Sequence, residues 1–159
     1  MLNFHLTDAQ LALRERARRF ALDHVLPVAW YYDEQDEMPV TVLEKALDAG
    51  FMNADIPSEY GGRGYGLVDA AIVTEELAAA CPGIATSIFD SSLGLEPLIL
   101  SDNEALKKKI FAQVLVEGSR VSFATSEPTM GSDVSAIRCT ATDAGDHYLL
   151  TGTKYWITN

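Results

Sequence analysis

Cysteine and histidine are scarce in this sequence, and their scarcity excludes several kinds of site. The chain has two cysteines, Cys81 and Cys139, which lie far apart, and three histidines. This pattern excludes a disulfide framework and a cysteine-based metal site, and it is typical of a reducing compartment. His24 falls on the apolar stripe of a predicted helix, and we interpret it as a core residue without a catalytic role. We therefore predict no metal site.

Positive charge is also in short supply. The chain has 12 Lys and Arg residues against 23 Asp and Glu residues, so its formal net charge is −11. This balance opposes binding to nucleic acid or to anionic membranes, because both require clustered basic side chains. The densest basic stretches, 14–19 and 107–109, are short and fall on predicted helices, so we interpret them as solvated faces.

The sequence has no long apolar run. None of its hydrophobic stretches approaches the roughly twenty residues that a membrane-spanning helix requires. The N-terminal residues lack the patterns of a secretory signal and of a transit peptide. We expect a cytoplasmic protein of bacterial type, or a protein of the mitochondrial matrix if a transit peptide has been removed. The hydrophobic fraction of 48% is sufficient for a buried core.

What the sequence does contain is a series of helical patterns. Thr7 and Gln10 form a capping-box pair, after which apolar residues recur at steps of three and four. Pro27 is expected to end or kink this helix, and an acidic connection over 31–38 follows it. Further helices are predicted over 40–49, 67–80, 84–100 and 103–116. Together they make residues 1–118 an all-α domain.

Two segments of the helical part have an unusual composition. Residues 59–66 contain four glycines, but they do not match Gly-x-Gly-x-x-Gly and no long buried strand precedes them. We therefore favour a flexible connection between helices over a phosphate-binding loop. The helix over 84–100 is rich in Ser, Thr and Gly. Such residues on a largely buried helix permit the close approach of a neighbour or of a ligand.

The hydrophobic period changes from helical to alternating at Arg120. An alternating run follows this residue, a second one covers 137–141, and a turn over 143–146 leads into a return strand. We predict that residues 119–159 are the beginning of an antiparallel β domain with three or four strands, which gives the chain an α+β fold. The last strand has no partner in this chain, so we expect the sequence to belong to a longer, truncated protein.

Several motifs then identify a family. Along the chain they are Ile56-Pro57-x-x-Tyr60-Gly61-Gly62, Glu75-Glu76-Leu77-Ala78, Phe123-Ala124-Thr125-Ser126-Glu127-Pro128, Gly131-Ser132-Asp133-Val134, Gly145-Asp146, Gly152-Thr153-Lys154 and Trp156-Ile157-Thr158-Asn159. In this order and at this spacing they resemble the acyl-CoA dehydrogenase family, above all its straight-chain, medium- and short-chain members. The resemblance covers nearly the whole chain. It implies the family's N-terminal helical domain and the opening part of its middle β domain, without the C-terminal helical domain.

The resemblance also implies FAD as the cofactor, a homotetramer, and an electron-transfer flavoprotein as the partner that receives the electrons. Phe123, Thr125 and Ser126 would line the flavin ring and its pyrimidine edge, where main-chain amides suit the negative charge of the reduced ring. Gly131 and Ser132 would lie at the FAD pyrophosphate, and Ser132 could also touch the pantetheine side of the CoA ester.

The same resemblance places the end of the chain at the reactive part of the flavin. Trp156 would pack against the isoalloxazine, Ile157 would be a further cofactor contact, and the Thr158 hydroxyl would approach N5. The residues alone allow other interpretations, because Trp156 and Phe123 could be β-core aromatics. Ser126 and Ser132 could likewise cap the turn around Pro128. The order of the motifs favours flavin contact.

One departure from the family's pattern concerns the loop after Pro128. Many members have Gly-Ala where this chain has Thr129 and Met130. A glycine is lost and bulk is added, so the conformation of the loop and its contacts with the acyl-CoA are expected to differ. We interpret Glu127, which precedes Pro128, as a structural residue.

The acyl tail of the family's substrates runs along the helix that corresponds to 84–100. By position, Ala85, Thr86, Phe89 and Leu93 would face it, and we hypothesise that Phe89 shortens the pocket and favours short or medium chains. The implied reaction is α,β-dehydrogenation of an acyl-CoA thioester, in which a carboxylate removes the α-proton and the β-hydrogen leaves as hydride to flavin N5. The family's base is a Glu of the C-terminal domain, which nothing here matches. We assign no catalytic residue and expect this chain alone to be inactive.

Two kinds of alternative function remain open at this stage. A relative on the same fold could be an acyl-CoA oxidase, a nitroalkane-type oxidase or a flavin monooxygenase. In a different class, the chain could be a non-catalytic remnant that binds protein partners through its helices. Bound flavin would separate the enzymes from the remnant.

Overall fold

The computed structural model describes residues 5–158. Within this range the helical part consists of α1 (Asp8–Phe20), α2 (Ala29–Gln35), α3 (Val40–Asp48), α4 (Leu67–Ala80), α5 (Pro82–Ile99) and α6 (Glu104–Glu117). Two strands, β1 (Thr140–Asp143) and β2 (Tyr148–Thr151), follow the helices. The predicted α+β fold is confirmed, and each predicted helix apart from the first is present with its ends within two residues of the prediction.

The start of α1 follows its sequence, whereas its end does not. The Gln10 amide donates to Thr7 Oγ1 at 3.2 Å and the Thr7 amide donates to the Gln10 side chain at 3.1 Å, which completes the capping box. Beyond Phe20 the chain continues through a π-helical turn, Ala21–Val25, and a 3-10 turn that contains Pro27, into α2. The predicted acidic connection is therefore wrong up to Gln35. In the first turn of a helix the backbone N–H groups donate no intrahelical hydrogen bond. A proline there therefore costs no hydrogen bond, and the helix can restart at once.

Two apolar clusters hold the helices together. The larger one joins α1, α3, α4 and α5, and a smaller one joins α5 to α6. In the larger cluster Leu77 and Ile88 are fully buried, and in the smaller one Leu95 and Phe111 are fully buried. Because α5 contributes to both clusters, it is the central helix of this part of the molecule.

The basic stretch 14–19 is more than a solvated face. The Arg18 guanidinium donates two hydrogen bonds, at 2.9 and 2.7 Å, to the Glu76 carboxylate on α4. Arg16 donates to the Tyr65 hydroxyl at 3.2 Å. Both arginines are exposed, as the interpretation as a solvated face requires, but each also reaches a neighbouring element, because a long side chain can remain exposed and still make such a contact.

The glycine-rich segment 59–66 connects α3 to α4, as predicted. The Gly64 amide donates to the Ile56 carbonyl at 2.9 Å. Gly62 lies so close to the same residue that a Cβ there would be 1.9 Å from the Ile56 oxygen. The segment thus folds back on the chain's own backbone, which supports a structural connection and not a phosphate-binding loop.

The β part contains fewer strands than predicted. β1 and β2 pair antiparallel, with Thr140 opposite Thr151 and Asp143 opposite Tyr148, and the predicted turn joins them. Residues 120–125 form no strand within the described part of the chain, so the prediction of three or four strands is wrong. Alternation shows which side chains share a face, but a strand also requires a neighbouring backbone to pair with.

Candidate functional site

Helix α5 fixes the position of the segment that carries the first predicted flavin contacts. The buried Ser91 hydroxyl accepts a hydrogen bond from the Val121 amide at 3.1 Å. A Cβ on Gly94, one turn further along, would lie 2.6 Å from Val121 Cγ1. The small residues of this helix therefore permit close approach, as predicted, and the neighbour that they admit is the backbone after Arg120.

In the C-terminal part, the hydrogen bonds of Glu127 connect segments that are distant in sequence. Its buried side chain accepts hydrogen bonds from the amides of Arg138 and Cys139, both at 2.9 Å, and from Lys154 Nζ at 3.0 Å. Lys154 Nζ also donates to the Thr125 carbonyl at 3.0 Å. One carboxylate and one ammonium thus join three segments that are distant in sequence. We call these two side chains, with the groups that bind them, the Glu127–Lys154 anchor.

The electrostatics of the anchor define the state of Glu127. The Cys139 amide, the Arg138 amide and the Lys154 ammonium together lower the pKa of Glu127 to about 2. In turn, the carboxylate raises the pKa of the Cys139 thiol. A general base works best with a pKa near the operating pH. Glu127 is therefore ionised at neutral pH and has a structural role, which agrees with its interpretation from the sequence.

The anchor brings two of the predicted flavin segments into direct contact. The Tyr155 amide donates to the Ser126 carbonyl at 2.9 Å, so Thr125 and Ser126 lie beside the stretch that ends at Thr158. Trp156 is 83% exposed and has a φ of 58°, a left-handed conformation that is unusual for a bulky residue. The Trp156 and Tyr155 rings form a T-shaped contact with a centroid distance of 4.8 Å.

The other predicted cofactor residues lie around this contact or on the neighbouring loop. Phe123 is 50% exposed, Ile157 is half-buried and Thr158 is exposed. Gly131 and Ser132 lie on an exposed loop, and a Cβ on Gly131 would meet no atom within 4 Å. Large apolar faces, hydroxyls and an open loop thus occur on one structural unit, and this set of groups fits a flavin.

The loop that departs from the family's pattern is tightly closed. The Glu127 amide donates to the Met130 carbonyl at 3.0 Å, and the Met130 amide donates to the Glu127 carbonyl at 3.1 Å. The Met130 side chain is only 7% exposed. The additional bulk of this residue is therefore buried.

A cavity between α4 and α5 contains all the predicted acyl-contact residues. Its volume is about 670 Å³, and Ala85, Thr86, Phe89 and Leu93 line it from α5. Ala70, Thr74 and Ala78 line it from α4, among other residues. Ala85 is buried and Phe89 is half-buried, whereas the Thr86 hydroxyl donates to the Pro82 carbonyl at 2.9 Å. We call this cavity the α4–α5 pocket.

Three acidic residues of this pocket were not among the predicted site residues. Asp55, Asp90 and Glu96 all line it. The Ser92 hydroxyl donates to Asp55 at 3.1 Å, and burial, with a smaller effect from Glu96, raises the pKa of Asp55. On α5 a sequence signal was available, because Asp90 and Glu96 follow the helical spacing of the predicted contacts.

The described residues, 5–158, lack two further features. No helix in this range is long and apolar enough to cross a membrane. The same residues hold no group of three or more His, Cys, Asp or Glu side chains that could bind a metal ion.

Comparison with known proteins gives a consistent result. The chain is 37% identical, over 98% of its length, to a 3-sulfinopropanoyl-CoA desulfinase of Variovorax paradoxus, of which it covers 39%. It is 32% identical, over 99% of its length, to a probable mitochondrial medium-chain specific acyl-CoA dehydrogenase 2 of Caenorhabditis briggsae, of which it covers 38%. The chain thus spans about two fifths of the length of these relatives.

Solved structures agree with the sequence matches. A glutaryl-coenzyme A dehydrogenase in complex with glutaryl-CoA superposes with a TM-score of 0.89 at 33% identity, covering 98% of this chain and 40% of the other. A nitroalkane oxidase superposes with a TM-score of 0.86 at 26% identity, covering 98% and 39%. The family model for the acyl-CoA dehydrogenase N-terminal domain matches residues 7–117. The chain therefore belongs to the acyl-CoA dehydrogenase family.

Proposed function

We propose that the protein containing this chain is an FAD-dependent enzyme that dehydrogenates acyl-CoA thioesters. One observation carries the proposal. Helix α5 lines the pocket that contains all four predicted acyl contacts, and the same helix holds the segment from which the predicted flavin contacts begin. The acyl group and the flavin would therefore both lie next to parts of the chain that α5 positions. We further propose the division into a helical domain over 1–118 and the start of a β domain over 119–159.

The proposed cofactor contacts follow from the anchored unit. Phe123, Thr125 and Ser126 would meet the flavin ring, with backbone amides directed at its pyrimidine edge. When bound, FAD would accept the hydride that leaves the acyl β-carbon. The exposed indole of Trp156 supports this assignment, because a flat apolar surface with 83% exposure is suited to cover an aromatic ring.

The remaining contacts have the same basis. Ile157 and Thr158 would extend the contact along the ring, with the Thr158 hydroxyl at N5. Gly131 and Ser132 would meet the pyrophosphate, and Ser132 also the pantetheine of the substrate. The exposure of this loop and the free space at Gly131 support both assignments.

The proton-abstracting base is assigned to no residue of this chain. Glu127 is excluded because its pKa of about 2 makes it a poor proton acceptor. We therefore propose that the 159-residue chain alone does not turn over acyl-CoA. We also propose that the full-length protein is a homotetramer and passes its electrons to an electron-transfer flavoprotein.

Tryptophan fluorescence gives a direct test of the flavin site, because the chain contains two tryptophans and both are exposed. In the full-length protein, Trp30→Phe leaves Trp156 as the reporter within this chain, and Trp156→Phe leaves Trp30 on α2. We expect FAD to quench Trp156 strongly and Trp30 weakly. Equal quenching of the two, or a protein without bound flavin, would contradict the proposed site.

The length of the acyl pocket is tested by turnover of acyl-CoA substrates from four to sixteen carbons. We expect short or medium chains to be preferred, because Phe89 would shorten the pocket. Phe89→Ala should shift the preference to longer chains. A preference of the unmodified enzyme for sixteen carbons would rule out the role of Phe89.

The second candidate is an oxidase of the nitroalkane type, which the match to nitroalkane oxidase favours. The two functions differ in their substrate and in their electron acceptor. Assays of the same flavin-loaded protein with acyl-CoA and a dye acceptor, and with nitroalkanes and oxygen, would separate them.

A further inference from the structure

The α4–α5 pocket has an unbalanced set of charges. The residues that line it include three with carboxylates, Asp55, Asp90 and Glu96, and none with a lysine, arginine or histidine side chain. The rest of the lining is mainly apolar. In such surroundings a charge acts over a longer range than in water, because fewer water dipoles screen it.

Asp90 is the carboxylate that lies among the predicted acyl contacts. It lies half-buried on α5, directly after Phe89 and three residues before Leu93, which are both predicted acyl contacts. Asp55 differs from it, because Asp55 comes from a segment outside α5 and accepts a hydrogen bond from the Ser92 hydroxyl at 3.1 Å. Glu96 is exposed near the end of the helix. An acyl tail that follows α5 would therefore pass Asp90 between two of its contacts.

The relatives provide a contrast in substrate chemistry. Glutaryl-CoA and 3-sulfinopropanoyl-CoA, after which two of the matched proteins are named, both carry an acyl group that ends in an anion. A buried anionic end requires a cationic or hydrogen-bonding partner. The α4–α5 pocket presents carboxylates where such an anion would need a cation.

We propose that the α4–α5 pocket selects acyl groups without an anionic end, and that Asp90 is the residue that determines this specificity. The inference rests on the proposed function and narrows its substrate class to acyl groups with a neutral or cationic tail. Repulsion by Asp90 would weaken the binding of a dicarboxylic or sulfino acyl-CoA, and it would leave the reaction at the thioester end unchanged.

The test compares two substrates that differ only at the end of the acyl chain. They are glutaryl-CoA and its ω-amide, which has nearly the same shape but no charge at that end. With the full-length, flavin-loaded protein, we expect the dissociation constant and kcat/KM to favour the amide by about tenfold, which corresponds to one unit-charge repulsion at intermediate screening. Asp90→Asn, which preserves the volume of the side chain, should reduce this ratio to about threefold or less.

The control variant is Asp48→Asn, at the exposed end of α3 and outside the pocket. It removes the same charge from the chain and should leave the ratio unchanged. If Asp90→Asn fails to fold, Asp90→Ser removes the same charge and should reduce the ratio in the same way. The ratio should fall as ionic strength rises, because salt screens the repulsion in this open pocket.

The possible outcomes separate the two proposals. Equal affinity for the two substrates, or tighter binding of glutaryl-CoA, would overturn the role of Asp90 and leave acyl-CoA dehydrogenation intact. An unchanged ratio in Asp90→Asn would do the same. If neither acyl-CoA binds or is turned over, and straight-chain acyl-CoA substrates also fail, the proposed function itself is wrong.

Discussion

The helical part and the C-terminal part of this chain hold their shapes by different means. In the helical part, buried apolar side chains on successive helices pack into two clusters that share α5. In the C-terminal part, both strands of the hairpin are exposed along their whole length, and the order comes from the Glu127–Lys154 anchor. The comparison shows that the predicted acyl site lies on an apolar framework, whereas the predicted flavin contacts depend on one buried ion pair.

This difference has a consequence for how the two parts respond to their surroundings. Burial of apolar surface is nearly independent of pH, because no proton is gained or lost. A buried carboxylate that accepts three hydrogen bonds depends on its charge. Acid should therefore loosen the flavin segments before it unfolds the helices.

The largest expected effect comes from a matched pair of leucines. Leu77 on α4 is fully buried, whereas Leu150 on β2 is 81% exposed. Leu77→Ala should lower the free energy of unfolding by about 2–5 kcal/mol, because it leaves a cavity in the core. Leu150→Ala should change it by no more than about 0.5 kcal/mol. Urea denaturation of both variants measures the contrast, and similar losses would show that the hairpin is as well packed as the helices.

The next effect concerns the anchor and its pH dependence. The folded-state pKa of Glu127 is lowered from 4.5 to about 2. Its contribution to stability is therefore complete above pH 4.5 and is lost as the pH falls from there toward 2. We expect the amide hydrogens of Arg138 and Cys139 to exchange faster, relative to their intrinsic rates, as the pH falls through this window. Hydrogen exchange followed by NMR measures the change.

Substitution of the anchor separates this effect from general acid unfolding. Glu127→Gln should accelerate exchange of the same two amides by about tenfold at neutral pH, because hydrogen bonds to a charged acceptor are replaced by weaker ones. The variant should also lose the acid transition. The control is Glu34→Gln on the exposed face of α2. If Glu127→Gln retains the transition, another carboxylate is responsible for it.

The smallest effect is expected for a polar contact of the helical part. The Tyr60 hydroxyl donates to the Glu104 carboxylate at 2.5 Å, and this bond raises the pKa of Tyr60 to about 12. Because the folded-state pKa is raised, the contribution of this contact is complete below pH 10 and is lost between pH 10 and 12. Absorbance at alkaline pH should show a late-ionising tyrosine that is missing in Tyr60→Phe. The same variant should destabilise the protein far less than Leu77→Ala, since buried apolar side chains provide most of the stability of the helical part.

Much of the helical part could be predicted because its signals are local. The capping box at Thr7 and the spacing of apolar residues on α4 and α5 depend on residues three or four positions apart. The path beyond Phe20 could not be read in this way. Pro27 is compatible with an interruption and with a restart, and packing against the rest of the domain favours the restart.

The strands were harder to predict for a physical reason. The alternation after Arg120 has the period of a strand, but within the described residues the Val121 amide bonds a serine on α5 and not a neighbouring strand. The candidate site shows the same limit. The resemblance predicted that Ala85, Thr86, Phe89 and Leu93 face the acyl tail. All four line one pocket, yet Asp55 comes from a different segment and could not be placed there from the sequence.

The sequence by itself determined the family and the helical spacing of the predicted acyl contacts, because both are properties of residues that are near each other in the chain. Only the tertiary structure decided that Glu127 joins residues 125, 138, 139 and 154 into one unit. The sequence shows that a residue has a carboxylate. Whether that charge is buried, and which amides surround it, depends on segments that meet only after the chain has folded.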